Sequence, residues 1–224
     1  MKKTLRIAHL YGNLMNTYGD NGNLLMFQHL AKDAGYQTQT DLVSIGNDFD
    51  PKIYDFVLFG GGQDYEQKLV AQDLQSKKQS LTRYIEDYGV ILGVCGGFQL
   101  LGEYYINAAG HRLEGIAALD HYTLNQVNSR FIGDIELYND RFDQKYFGYE
   151  NHNGRTFLGE NTQPLGMVNQ GQGNNGEDKT EGVMYKNTFG TYLHGPVLVR
   201  NRHFGQQLVD LAIDRSNKRQ ASNS

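Results

Sequence analysis

One cysteine, Cys95, stands in 224 residues, so no disulfide can form within the chain, and a reducing, cytosolic setting is expected. No stretch approaches the roughly 18 apolar residues that a membrane-spanning helix needs. The opening MKKTLRIAHLYG has the basic start of a signal peptide, but Arg6 and His9 break the apolar run early, so it reads as a first strand. Excess positive charge is missing as well. The 21 basic and 25 acidic residues give a net charge of -4, which argues against nucleic acid as a partner. GGGQDYEQ (60–67) is glycine-rich but lacks the G-K-[ST] ending of a phosphate loop, and no such motif occurs elsewhere, so no ATP site of that kind is expected. Internal repeats and low-complexity segments are absent. Only 3 prolines occur against 27 glycines and 15 tyrosines, an ordinary globular composition with generous loops.

At this length a single domain is expected over residues 1–217, followed by a disordered tail at 218–224. In the first half, apolar runs alternate with helical patterns. TLRIAHL (4–10) reads as a strand, and NGNLLMFQHLAKDAG (21–35) as a helix ending at Gly35. TDLVSI (40–45) and YDFVLFG (54–60) read as strands, the segment from Gln63 to Tyr88 as a helix, and VILGV (90–94) as a buried strand. That alternation predicts an α/β fold, with a mostly parallel sheet between helices. From about residue 104 the pattern turns to short strands separated by Gly and Asn: RFIGDIELY, KYFGYE, PLGMVN, GVMYKN and FGTYLH, an antiparallel or mixed addition. NQGQGNNGEDKTEG (169–182) reads as a flexible surface connection, and HFGQQLVDLAIDRSN (203–217) as a last amphipathic helix.

The lone thiol lies in GVCGG (93–97), which fits G-x-C-x-G, the cysteine counterpart of a nucleophile elbow. VILGV supplies the strand before a sharp turn, and GGFQLLGEYY can supply the helix after it. At a helix N-terminus the unpaired N–H groups favour a thiolate, and a nearby histidine would favour it further. Set against this, a lone cysteine is commonly a small buried hydrophobe. Of the seven histidines, His29 and His203 fall on predicted helices and His111 in a polar loop, whereas His194 ends FGTYLH at a strand end, where open α/β sheets place ligands. A histidine that merely caps a strand is the alternative. GGG at 60–62 follows a strand, and its backbone N–H groups could join the one after the nucleophile in an oxyanion hole.

Together GGGQD, GVCGGFQLLG and TYLHGP resemble the class I glutamine amidotransferases, and within them the cobyric-acid-synthase-like (CobB/CobQ-like) branch. YGNLMNTYGDNGN, NSRFIGDI, GYENHNGRT and GTYLHGPVL extend the likeness along almost the whole chain, toward the glutaminase subunits of lipid II isoglutaminyl synthases. The resemblance implies a flavodoxin-like three-layer fold. It also implies that Cys95 attacks the side-chain amide of L-glutamine, that backbone N–H groups near Gly61 and Gly96 hold the oxyanion, and that His194 protonates ammonia. Arg130 would hold the substrate α-carboxylate; without the resemblance it reads equally as an exposed arginine on an edge strand.

Neither metal nor cofactor is expected on this chain. ATP would belong to a MurT-like Mur ligase subunit forming a heterodimer with it, through which lipid II is reached, in the cytoplasm or at the inner face of the membrane. The usual triad glutamate, two residues after the histidine, is replaced by Pro196, so the orienting carboxylate is left open between Glu150, another in the chain and one lent by the partner. A cysteine peptidase of the same fold, an amidotransferase for another acceptor, and a redox sensor or binding module are the alternatives.

Overall fold

The computed structural model describes residues 3–126 and 128–222. Met1 and Lys2 at the opening, and Asn223 and Ser224 at the end of the expected tail, lie outside the described residues. In chain order, β1 (Thr4–Leu10) leads through a turn at Thr17–Gly19 into α1 (Asn21–Asp33), β2 (Gln37–Val43), β3 (Phe56–Phe59), α2 (Asp64–Glu86), β4 (Val90–Val94) and the short α3 (Gly96–Leu101). Eight strands follow: β5 (Tyr104–Ile106), β6 (Arg112–Glu114), β7 (His121–Asn125), β8 (Phe131–Asn139), β9 (Gln144–His152), β10 (Gly154–Leu158), β11 (Gly166–Gln170) and β12 (Thr180–Glu181). The chain ends with β13 (Val183–Tyr185), β14 (Thr188–Thr191), α4 (Val197–Arg200) and α5 (Arg202–Ser222).

The central sheet runs β13-β14-β4-β3-β1-β2, with every neighbour parallel except β13 against β14. Its middle strands β3 and β4 are apolar on both faces because helices cover both. The period-two alternation splits them into two cores. Leu5, Ile7, Phe56, Leu58, Val90, Leu92 and Val94 face α1 and α5, where Phe27 stacks on Phe56 with ring centroids 4.0 Å apart. Ala8, Leu10, Val57, Phe59 and Ile91 face Val70, Leu74 and Leu81 of α2 and Phe98 of α3. Two smaller sheets, β10-β7-β5-β6 and β12-β11-β8-β9, carry the second half of the chain.

Several boundaries differ from the sequence reading. β2 starts at Gln37 because Gln37–Val43 pairs residue for residue with Thr4–Leu10, and at a half-exposed sheet edge the polar run QTQT is tolerated. The helix after the elbow stops at Leu101, since Tyr104–Ile106 is drawn into a strand between β6 and β7. The 169–182 segment is packed. The Glu150 carboxylate accepts the N–H groups of Gln172 and Gly173, both at 2.9 Å, and buried Asn174 bonds through its side chain to Gly182. Helix α5 continues to Ser222, through most of the segment expected to be a disordered tail. Arg215 fixes it to the carbonyls of Pro51, Tyr54 and Asp87, and Arg219 pairs with buried Asp55 at 2.8 Å.

Candidate active site

Four adjacent parallel strands, β14, β4, β3 and β1, end on one rim of the sheet, and the segments leaving them converge there. They carry His194, Cys95, Gly60–Gly62 and Asp20 respectively. This is the crevice outside the carboxyl ends of the strands, where open α/β folds bind ligands.

Cys95 leaves β4 with φ 50° and ψ -106°, a left-handed backbone that an L-residue adopts only under constraint. The constraints are visible. Its N–H donates to Thr191 O at 2.8 Å, its own carbonyl accepts Gln99 N–H at 2.9 Å as α3 begins, and Gly97 N–H donates to Gly60 O at 3.0 Å. Any Cβ on Gly97 would lie 2.1 Å from Phe59 O, so the glycine after the elbow is demanded by close approach of two strand ends. Gly96 opens α3, where its N–H has no acceptor within the helix.

His194 lies three residues beyond β14, a little past the strand end the sequence suggests, and pairs through its backbone with Tyr149 of β9. Gly195 turns the chain at φ 93°, and α4 is then tied down through Asn23 and Asn201. The ring is 2% exposed and meets the Tyr18 ring edge-on at 4.8 Å. Burial disfavours its charge, but side-chain contact with Asp20 and with Cys95, and the charges of both, prevail and raise its pKa to about 10. In buried His121 and His152 burial outweighs what opposes it, the Phe98 carbonyl and Asp120 charge for the first and the Gly154 carbonyl for the second, and holds them down to about 4 and about 3. His194 is thus built to carry a proton beside a sulfur.

One sequence expectation is corrected by this geometry, and one of the carboxylates left open is set aside. Gly61 does adjoin the nucleophile: a Cβ on it would sit 3.2 Å from Cys95 Cβ. Its N–H, however, donates to Asp20 Oδ2 at 2.6 Å and is not available to an oxyanion. Glu150 spends both carboxylate oxygens on the 172–173 backbone, so it does not orient His194. The carboxylate beside His194 belongs to Asp20, whose Oδ1 lies 3.9 Å from Nδ1. Sequence reasoning missed it because YGDNGN reads as a turn opening a helix, and nothing local says which strand end it meets.

Arg130 reaches the same rim from the start of β8. Its Nε donates to Asn151 Oδ1 and its Nη2 to the Tyr18 hydroxyl at 3.3 Å, so the guanidinium stands at the mouth over the tyrosine that covers His194. Glu181 is a further buried group behind the site. It accepts Tyr192 N–H at 2.6 Å and the Thr191 hydroxyl, and burial pushes its pKa to about 8.

Residues 6–202 match the model of the CobB/CobQ-like glutamine amidotransferase domain. Among curated proteins the chain is 56% identical over 209 residues to the lipid II isoglutaminyl synthase (glutamine-hydrolyzing) subunit GatD of Streptococcus pneumoniae, covering 93% of this chain and 80% of that one. To the protein of the same name from Staphylococcus aureus it is 39% identical, covering 94% and 85%. A solved structure described as a glutamine amidotransferase superposes with a TM-score of 0.60 at 12% identity, covering 92% of this chain and 98% of that one, a likeness of fold.

Proposed function

The chain belongs to the CobB/CobQ-like glutamine amidotransferases, and from that premise we propose that it is the glutaminase subunit of a lipid II isoglutaminyl synthase. Arg130 binds the α-carboxylate of L-glutamine. Cys95 sulfur attacks the side-chain amide carbon, forming a C–S bond, and the Gly96 N–H stabilises the tetrahedral oxyanion. His194 gives its proton to the departing nitrogen as the C–N bond breaks and ammonia leaves. Water, losing a proton to His194, then cleaves the thioester to glutamate and restores the thiol.

Ammonia released into water would be protonated and lost. It is therefore delivered to a MurT-like Mur ligase subunit, which uses ATP to activate the D-glutamate α-carboxylate of the lipid II stem peptide and yields D-isoglutamine. The outer face of β8 and β9 supports such docking. Ile132, Phe147 and Tyr149 stand exposed on one side of this ribbon, and Ile132 pairs directly with Asn151, the residue that holds Arg130. A mixed face running up to the mouth, on which these apolar side chains alternate with Asp134 and Glu136, suits a ligase that closes over it.

The single observation that carries this reading is the Cys95 elbow with protonatable His194 at neighbouring strand ends, in a chain 56% identical to a protein named as that subunit. The test is co-purification with a tagged Mur-ligase-like subunit, followed by lipid II amidation with glutamine and ATP. Cys95→Ala should abolish glutamine hydrolysis and labelling by diazo-oxo-norleucine, and Phe147→Asp should weaken the complex while labelling persists. A complex that binds but leaves lipid II unamidated would remove the acceptor; activity in Cys95→Ala would remove the mechanism.

A further inference from the structure

Asp20 occupies the N-cap of α1, where an aspartate ordinarily turns its carboxylate onto the N–H groups of its own helix. Here it makes no cap hydrogen bond, and Asn16 Oδ1 accepts the Asn21 N–H instead. The carboxylate is fully buried and points the other way. Oδ2 accepts the Gly61 N–H at 2.6 Å, while Oδ1 faces His194 Nδ1 at 3.9 Å. Among the described residues neither Oδ1 nor either nitrogen of His194 has a hydrogen-bond partner. Two buried, complementary polar atoms thus stand about 1 Å short of a charge-assisted hydrogen bond, an arrangement that burial makes costly unless they close.

The mount is rigid. The Gly60–Gly61 peptide is fixed at both ends, its carbonyl by Gly97 N–H at 3.0 Å and its N–H by Asp20, and Gly61 O accepts Thr17 N–H at 3.0 Å. Pro196 contributes from the other side. A Cβ on Gly22, in the first turn of α1, would lie 2.2 Å from the proline ring, so this proline packs the start of α1, and Asp20 with it, against the histidine segment. The residue that denies a carboxylate to the histidine's own segment also docks the element that brings one.

We infer that Asp20 is the positioning residue for His194: anchored through Oδ2 by the Gly61 N–H, it accepts the Nδ1–H of His194 through Oδ1 once substrate fills the site, leaving Nε2 for Cys95. This rests on the glutaminase reading above. The proton stays on Nδ1, and Asp20 acts by charge and orientation. The titratable groups around His194 are Cys95 at the elbow, Glu181 of β12 and His152 of β9, the last two held neutral by burial, with the Tyr18 ring against it. His9 of β1 also feels the Asp20 charge, but burial keeps that ring below its ordinary pKa and neutral. His194, raised, is the histidine that pairs.

Asp20→Asn keeps the volume and an oxygen for Gly61 but removes the charge and can offer an amide N–H to Nδ1, forcing the wrong tautomer. In the full chain, kcat for glutamine hydrolysis should fall by about 10²–10⁴-fold with KM within about threefold. The alkaline limb of kcat/KM, where His194 loses its proton, should move to lower pH. Wild-type kcat in the folded variant, or a fall in activity with that limb unmoved, overturns the inference. Independently of how the variant folds, imidazole NMR of the wild-type chain labelled at Cys95 with diazo-oxo-norleucine should show a downfield, slowly exchanging Nδ1–H of His194; its absence also overturns the inference. Failure of the functional reading would look different, as a wild-type chain that does not hydrolyse glutamine.

Discussion

Replacing Glu181 with glutamine should make the protein more stable at neutral pH and flatten its pH dependence. The carboxyl is fully buried, and burial lifts its pKa from 4.5 to about 8 against the opposing hydrogen bonds from Tyr192 N–H and the Thr191 hydroxyl. An acid whose folded pKa is raised stabilises most below its unfolded value, and that stability is lost as pH rises through the folded one. Between pH 4.5 and about 8 the unfolded chain releases this proton and the folded chain keeps it, so each pH step removes about 1.4 kcal/mol. By pH 7 the loss is about 3 kcal/mol. Glutamine offers the same acceptor to Tyr192 N–H, and the Thr191 oxygen can receive its amide N–H, so most of the loss should be recovered, less about 1 kcal/mol for burying an imperfectly paired amide. His194, raised to about 10, adds its own fall in stability above pH 6.5 to both proteins, so the difference between them isolates Glu181. Urea unfolding from pH 5 to 8.5 measures it. Parallel curves for wild type and Glu181→Gln, or a variant weaker by the same amount at every pH, would refute the reasoning.

Gly97→Ala forces a Cβ to 2.1 Å from a backbone carbonyl, which cannot swing aside, and should cost about 3 kcal/mol or more, read as a lower urea midpoint at unchanged slope. Arg130→Ala should raise KM for glutamine with little change in kcat. Because the guanidinium is exposed in this chain, the loss should be about 1–3 kcal/mol, and lysine should restore it only in part because it lacks the fork. Unchanged KM in the alanine variant would remove Arg130 from the substrate.

The parts legible in the sequence are those that local pattern fixes. FVLF and VILGV are apolar throughout because helices cover both faces of the sheet, and the structure has the α/β architecture they imply. The elbow at Cys95 is legible because its strained backbone needs glycine on both sides, a spacing that survives in one dimension. His194 follows from its place near a strand end. Asp20 was not legible, since its role depends on the β1–α1 turn meeting the end of β3, a contact set by strand order and not by neighbours in sequence. Nor was the use of the Gly61 N–H, which looks open until Asp20 is placed against it. The polar composition of 169–182 concealed its order, because the groups that hold it, Glu150 and its own buried asparagines, are polar too.

The order of strands along the chain also sets a clock. β14 is the last strand of the central sheet to be synthesised, yet it lies beside β4, its backbone holds the Cys95 N–H through Thr191, and the chain leaving it carries His194. Until β14 inserts, the elbow lacks both its backbone anchor and its base. The Cys95–His194 pair is therefore assembled only when the last strand closes the sheet, although its nucleophile is in the chain about a hundred residues earlier.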